Sequence, residues 1–181
     1  NALIAGYTLN ERIPCALQVF ESMLIKGMEP NKITLSCILK ACASIGSLYE
    51  GKMIHDQVIK DGLELDEYIQ SNLIDMYCKC GCLEEAQKVF DNWHGCKNIV
   101  AWGAMMAGYT QHNFSYTVLE LFAKMKLISV KPNSYVFSCV LKACSDIGDL
   151  EKGVNIHEQI HLSGIRVCAF LGSSLIDMYC K

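Results

Sequence analysis

Asp75-Met76-Tyr77-Cys78-Lys79 comes back unchanged as Asp177-Met178-Tyr179-Cys180-Lys181, 102 residues later. The same spacing carries Leu39-Lys40-Ala41-Cys42 onto Leu141-Lys142-Ala143-Cys144, and Gly6-Tyr7-Thr8 onto Gly108-Tyr109-Thr110. Glu29-Pro30-Asn31 returns as Lys131-Pro132-Asn133. One spacing recovered at four places makes the chain an array of small units, not a single globular domain around a pocket.

Laid over themselves, the 102-residue blocks resolve into units of 35, 32 and 35 residues. They run over residues 1–31 (partial), 32–66, 67–98, 99–133, 134–168 and 169–181 (partial). The chain starts inside one unit and stops inside another, and so reads as a segment of a longer single array with no polar capping element at either end. Each unit reads as two helices. Ala16, Val19, Phe20 and Met23 fall at i, i+3, i+4 and i+7, and so do Ala86, Val89, Phe90 and Trp93, and Val118, Leu121, Phe122 and Met125. First helices carry Leu3, Ile4 and Tyr7, or Leu73, Ile74 and Tyr77. Gly27, Gly62 and Gly164 mark the ends of second helices and Gly81 the end of a first, with Pro30 and Pro132 just beyond such ends. No stretch shows the sustained alternation of a half-buried strand. The expected fold is all-α, an α-solenoid of stacked helix-turn-helix repeats forming a superhelix, because two short helices cannot bury their apolar faces alone.

Composition narrows the function. The longest nearly apolar run, Ile99 to Tyr109, is far short of the ~20 residues that span a bilayer. A net charge of −3 does not advertise nucleic-acid binding, although the sign of one strip matters more than the total. The cysteines number eleven, which suggests disulfides until they are placed on the repeats. Cys37 and Cys139, Cys42 and Cys144, and Cys78 and Cys180 are equivalent pairs at packing positions, as expected of small buried thiols in a reducing compartment.

A unit with Asn-Ala-Leu-Ile early and Gly-x-x-Pro-Asn at its end resembles the pentatricopeptide repeat. Residues 1–31 and 99–133 look like its ordinary type. Residues 32–66 and 134–168, with Leu-Lys-Ala-Cys and Ile-His-x-Gln, resemble its long type, and 67–98 and 169–181, with Leu-Ile-Asp-Met-Tyr-Cys-Lys, its short type. That triplet is similar to the plant subfamily whose members act on organellar transcripts, usually as site-recognition factors for cytidine-to-uridine RNA editing. The resemblance implies sequence-specific binding of single-stranded RNA, one nucleotide per repeat, in a mitochondrion or chloroplast. It also implies proteins of an editing complex as partners, and neither DNA, membrane nor cofactor.

The resemblance also implies which side chains meet the RNA. The fifth and last residues of a repeat contact the base edge, which points to Asn1 with Asn31, Ser36 with Asp66, and Ser71 with Asn98. It points equally to Gly103 with Asn133, Ser138 with Cys168, and Ser173. The second residue sandwiches the base: Ile33, Tyr68, Val100, Tyr135 and Phe170. Asn offers donors and an acceptor, Ser a rotatable hydroxyl and Asp acceptors only, so each pair favours particular edges. By the family's code the first three pairs resemble readers of a pyrimidine, guanine and adenine, counted from the RNA 5′ end. Gly103 and Cys168 depart from the pattern, since neither supplies a useful polar group. Lys79 and Lys181, and more weakly Lys40 and Lys142, are candidates to meet phosphate.

Two motifs mimic metal chemistry. His157-Glu158-Gln159-Ile160-His161 matches the helical zinc-hydrolase pattern, but His157 is equivalent to His55, and both take the slot of Phe20, Phe90 and Phe122. Ile59 stands where His161 does, so the pair reads as a packing histidine plus a chance second one. Cys78, Cys80 and Cys82, with His94 and Cys96 nearby, resemble a cluster, but Cys78 belongs to the repeat and the other two thiols straddle a helix turn at Gly81. The deaminase signature, His-x-Glu followed by Pro-Cys-x-x-Cys, is absent. The expected function is therefore non-enzymatic and without metal. The alternative is a helical-repeat scaffold that holds a peptide, against which the 35-residue period and the missing Trp-x-x-Leu-Gly-x-x-Tyr pattern both argue.

Overall fold

The computed structural model of the chain describes residues 2–63, 66–92 and 98–181. Every regular element among them is an α-helix. The chain divides into two compact units, Asn1–Cys96 and Lys97–Lys181. The first contains α1 (Ala2–Leu9), α2 (Ile13–Ile25), α3 (Lys32–Ile45), α4 (Leu48–Lys60), α5 (Glu67–Lys79) and α6 (Leu83–Asp91). The second contains α7 (Ile99–Gln111), α8 (Ser115–Leu127), α9 (Ser134–Ile147), α10 (Leu150–Leu162) and α11 (Ala169–Cys180). Lys32, Glu67, Ile99, Ser134 and Ala169, where sequence repeats begin, are each the first residue of a helix. Among the described residues no helix is long and apolar enough to cross a membrane.

Packing follows one rule in both units. First helices lie side by side, α1 on α3 on α5, and α7 on α9 on α11. Four second helices fill the groove behind two of them: α2 meets α1 and α3, α4 meets α3 and α5, α8 meets α7 and α9, and α10 meets α9 and α11, while α6 packs on α5. The core is the seam between the layers. Leu35, Ile38, Leu39 and Cys42 on α3 are fully buried, as are Val136, Val140 and Leu141 on α9. Burying each such aliphatic side chain stabilises the fold by about 1.5–3 kcal/mol.

The apolar stripes of the second helices face this seam, with graded depth. Ala16, Phe20 and Met23, Ala86 and Phe90, and Val118, Leu121, Phe122 and Met125 are buried, while Val19 and Val89 lie half-buried at the flank. Trp93 lies outside the described residues. Leu3, expected beside Ile4 in the core, is 57% exposed, because α1 packs only on α2 and α3 and turns Ile4 towards them.

Helix ends show how local chemistry sets the turns. Gly27, Gly62, Gly81 and Gly164 have the left-handed backbone expected of them, and Gly46 and Gly148, which the sequence reading passed over, close α3 and α9 in the same way. Ser129 holds φ 60° at the place that Gly27 occupies with φ 67°. A side chain in that conformation costs about 1–2 kcal/mol, and the greater freedom of glycine in the unfolded chain offsets about half of it. Ser129→Gly is therefore expected to stabilise the chain by about 0.5–1 kcal/mol in urea unfolding. A loss of stability would contradict the strain assigned to Ser129.

Close approach between layers also recurs. A Cβ on Gly51 would lie 2.4 Å from Met76 Sδ, and one on Gly153 would lie 2.3 Å from Met178 Sδ. Met76 is fully buried and Met178 nearly so. Glycine on the second helix thus admits the methionine of the next first helix, and the contact repeats with the array.

Candidate nucleic-acid interface

On a first helix, residues 4, 7, 8 and 11 point into the seam, so helical geometry places residues 2, 6, 9 and 13 on the opposite side and residue 5 at its flank. That exposed face carries an unusual set of side chains. Ile33, Tyr68, Val100, Tyr135 and Phe170, the second residues, are all large and apolar, yet they are 46–77% exposed. In the second unit Tyr135 and Phe170 lie with ring planes 15° apart and centroids 6.2 Å apart.

Four of the last residues, Asn31, Asp66, Asn98 and Asn133, cap the helix that follows. Asn31 Oδ1 accepts from the Thr34 amide at 3.0 Å, Asn98 Oδ1 from Ala101 at 3.0 Å, and Asn133 Oδ1 from Val136 at 2.9 Å. Asp66 Oδ1 accepts from both Tyr68 and Ile69, at 3.0 and 3.2 Å. Each side chain caps the next first helix, satisfying amides that have no partner within the helix. The cap also orients the side chain. The second polar atom of each carboxamide is a donor, whereas Asp66 Oδ2 is an acceptor, 3.7 Å from the exposed Lys32 ammonium. Asn1 lies outside the described residues.

Cys168 starts α11 without a side-chain cap. Cys168→Asp is expected to add about 1 kcal/mol of stability, through the missing hydrogen bond and the favourable charge at a helix start. Thermal unfolding followed by circular dichroism reads this directly. An unchanged midpoint would mean that the backbone there does not present its amides for capping.

The fifth residues sit lower, where neighbouring first helices meet. Ser36 is half-buried, Ser71 is buried and donates to the Glu67 carbonyl at 2.8 Å, and Ser173 is exposed. Ser138 is buried with its hydroxyl 2.5 Å from Ser174 Oγ on α11. Gly103 lies under the Tyr135 ring, where a Cβ would meet Tyr135 Cδ1 at 3.2 Å. Ser174, a sixth residue, is therefore part of this surface, and the sequence reading missed it because its role appears only across the α9–α11 contact.

Lysines on this face are mostly matched by carboxylates. Lys79 pairs with Asp75 at 2.8 Å, and Asp146 holds Lys142 at 3.0 Å and Lys181 at 3.2 Å. Partial burial raises the Asp146 pKa, but the hydrogen bonds from Lys142 and Lys181 outweigh it and hold the carboxyl below the usual range. In the first unit Ser44 stands at the place of Asp146, and among the described residues Lys40 has no ion-pair partner.

The metal-like motifs are occupied with packing. His157 Nδ1 lies 2.9 Å from Tyr179 OH, and His55 Nδ1 lies 2.8 Å from Tyr77 OH, both pairs with edge-on rings. Each histidine is half-buried and links a long repeat to the next short one, not sunk into the seam as Phe20, Phe90 and Phe122 are. Among the described residues no group of three His, Cys, Asp or Glu is placed to hold a metal ion. Burial pushes the Cys42 and Cys78 thiols up to about 12, and Cys139 and Cys144 to about 11, which keeps them protonated at neutral pH. Cys80 and Cys82 are half-buried; His94 and Cys96 lie outside the described residues.

Comparison with known proteins bears on this geometry. Models described as PPR repeat family and PPR repeat match residues 1–44, 71–97 and 100–130, more than half of the chain. One pentatricopeptide repeat-containing protein of Arabidopsis thaliana is 36% identical over 182 residues, covering 100% of the chain and 22% of its own length. A second, from the same plant and named mitochondrial, is 38% identical over 154 residues, covering 85% of the chain and 17% of its own length. The chain thus spans about a fifth of the length of these relatives. Among solved structures, the maize pentatricopeptide repeat protein PPR10 with an 18-nucleotide psaJ RNA element superposes with TM-score 0.82 at 16% identity, over 98% of this chain and 27% of that one. The PPR domain of Arabidopsis thaliana protein-only RNase P 1, in complex with tRNA, gives TM-score 0.75 at 15% identity, over 99% and 96% of the two chains. Those likenesses establish the fold as a helical-repeat solenoid.

Proposed function

Because the chain belongs to the pentatricopeptide repeat family, we propose that its repeats form part of one array that binds single-stranded RNA, one nucleotide per repeat. The observation that carries this is the set of large apolar second residues held exposed beside polar capping residues. Such side chains are costly to leave in water, and their recurrence at one exposed slot in each unit supports a binding surface. Tyr135 and Phe170 lie nearly parallel with ring centroids 6.2 Å apart, which presents neighbouring aromatic faces on which bases can stack. Base–aromatic stacking supplies affinity with little base preference, and the polar atoms at the fifth and last residues supply the preference. The polarity of those atoms differs among repeats, which is what selective reading requires.

A finer role follows from the alternation of three unit types: site recognition for cytidine-to-uridine editing of transcripts in a mitochondrion or chloroplast, with editing-complex proteins as partners. Three of the Arabidopsis relatives are named mitochondrial, which supports an organellar setting. The repeats bind and position, and the deamination itself belongs to chemistry outside them.

A competition assay tests the binding reading. Labelled RNA held by the chain is expected to be displaced by unlabelled single-stranded RNA and not by double-stranded DNA at equal concentration. Equal displacement by the duplex would reduce the interaction to charge alone and contradict base-stacking recognition.

A further inference from the structure

Gly103 is the only fifth residue among the described repeats without a side chain, and the space above it is not empty. The ring of Tyr135, the second residue of the next repeat, leans over it: a Cβ on Gly103 would meet Tyr135 Cδ1 at 3.2 Å, Tyr135 Cε1 at 3.5 Å and Val136 Cγ2 at 3.9 Å. Tyr135 is accordingly 46% exposed, against 77% for Tyr68, which has Ser36 at the corresponding place. The other member of this repeat's fifth-and-last pair is Asn133. Its Oδ1 accepts the Val136 amide at 2.9 Å, so the atom left to face a ligand is its amide nitrogen, a donor only.

We infer that the repeat of residues 99–133 accepts a nucleotide without reading its base, because Tyr135 covers Gly103 and only the Asn133 amide remains to contact the base edge. Each of the four bases carries a carbonyl or ring-nitrogen acceptor on its pairing edge, so a lone donor satisfies all of them alike. Stacking on Tyr135 then supplies the affinity of this slot, and stacking is tolerant of base identity. The repeat works as a spacer that keeps the array in register while leaving one transcript position free to vary. Gly103 and Tyr135 are together the determinants of that indifference. This inference rests on the RNA-binding reading above.

The test uses abasic scanning of a bound RNA with the chain and with Tyr135→Ala, whose exposed ring can be removed without opening the core. Tyr135 faces two adjacent nucleotides, so the variant is expected to remove sensitivity to an abasic site at those two only, and the 5′ one belongs to residues 99–133. At that nucleotide the four bases are expected to differ by less than about twofold in affinity, while an abasic site costs about tenfold. In Gly103→Ser the added hydroxyl displaces the ring by a few tenths of an ångström, and the four bases are expected to spread by about fivefold or more. A preference of about tenfold in the unmodified chain would overturn the inference and leave the RNA reading intact. A folded Gly103→Ser chain that still binds all four bases alike would overturn it too. Failure to bind any RNA would overturn the reading on which it rests.

Discussion

A methyl group at Gly51 is expected to destabilise the chain by about 1–2 kcal/mol, although helix propensity alone predicts the opposite sign. Replacing glycine by alanine inside a helix gains about 0.5–1 kcal/mol. Against that, the new Cβ would sit 2.4 Å from Met76 Sδ and 2.8 Å from Met76 Cε, with Met76 fully buried. Overpacking of this kind costs about 1–3 kcal/mol, and the full burial of Met76 limits how far its flexible end can give way. Gly51→Val, with two further methyl groups at the same contact, is expected to cost about 3 kcal/mol. Gly6 is the internal control, since it lies on α1 with nothing within 4 Å of an added Cβ. Gly6→Ala is expected to stabilise by about 0.5–1 kcal/mol. A double-mutant cycle with Met76→Ala assigns the cause: the penalty of Gly51→Ala should largely vanish once the sulfur is gone. If Gly51→Ala behaves like Gly6→Ala in urea unfolding, the interlayer contact is not tight and the packing account fails.

Removing Tyr68 or Phe170 is expected to weaken RNA binding without disturbing the fold. Tyr68 is 77% exposed and Phe170 54%, so truncation to alanine removes little core, and surface changes of this kind stay within about 0.5 kcal/mol. A base that stacks on either ring loses about 1–3 kcal/mol, or about 5–150-fold in affinity. The loss should be similar whichever base is placed there, because every base offers a π face. Tyr49 on α4 and Tyr116 on α8 are equally exposed, at 74% and 72%, but lie on second helices away from the proposed face. Tyr49→Ala and Tyr116→Ala are expected to leave affinity unchanged. Parallel losses at all four tyrosine and phenylalanine positions would mean that exposed rings bind RNA wherever they are, and the face assigned here would lose its meaning.

The parts of this architecture legible in the sequence are those that repeat or that depend on near neighbours. Helix starts at Lys32, Glu67, Ile99 and Ser134 follow from a period and from a capping residue one position earlier, and that at Ala169 from the period alone. The burial of Cys42 and Cys144 follows from their equivalence along the array, but equivalence fails for the other two pairs: Cys180 is exposed where Cys78 is buried, and Cys37 is half-buried where Cys139 is buried. Less accessible were pairings across the interface between helices. The His55–Tyr77 and His157–Tyr179 hydrogen bonds join residues 22 apart, and nothing in local spacing says that a histidine in a phenylalanine slot turns sideways to meet them. Ser138 with Ser174, 36 apart, is of the same kind. The capping by Asn31, Asp66, Asn98 and Asn133 was open to local reasoning, and it shows that helix capping and the proposed base contact are not competing roles. One oxygen serves the helix, and under the proposed reading the second atom of the same group sets donor or acceptor polarity towards the RNA.

That dual role makes Asn98→Asp the sharpest single probe. Aspartate caps as well as asparagine, so α7 keeps its start, while the second atom changes from a donor to an acceptor. The measurement is a fluorescence anisotropy titration of the chain and this variant with short single-stranded RNAs differing at one nucleotide, across a range of salt. The account predicts binding that weakens with salt and a base preference that changes at one nucleotide only, with overall affinity for the best RNA preserved. Binding that is identical for every base in both proteins would contradict one-nucleotide-per-repeat recognition and leave only a charged surface that RNA visits.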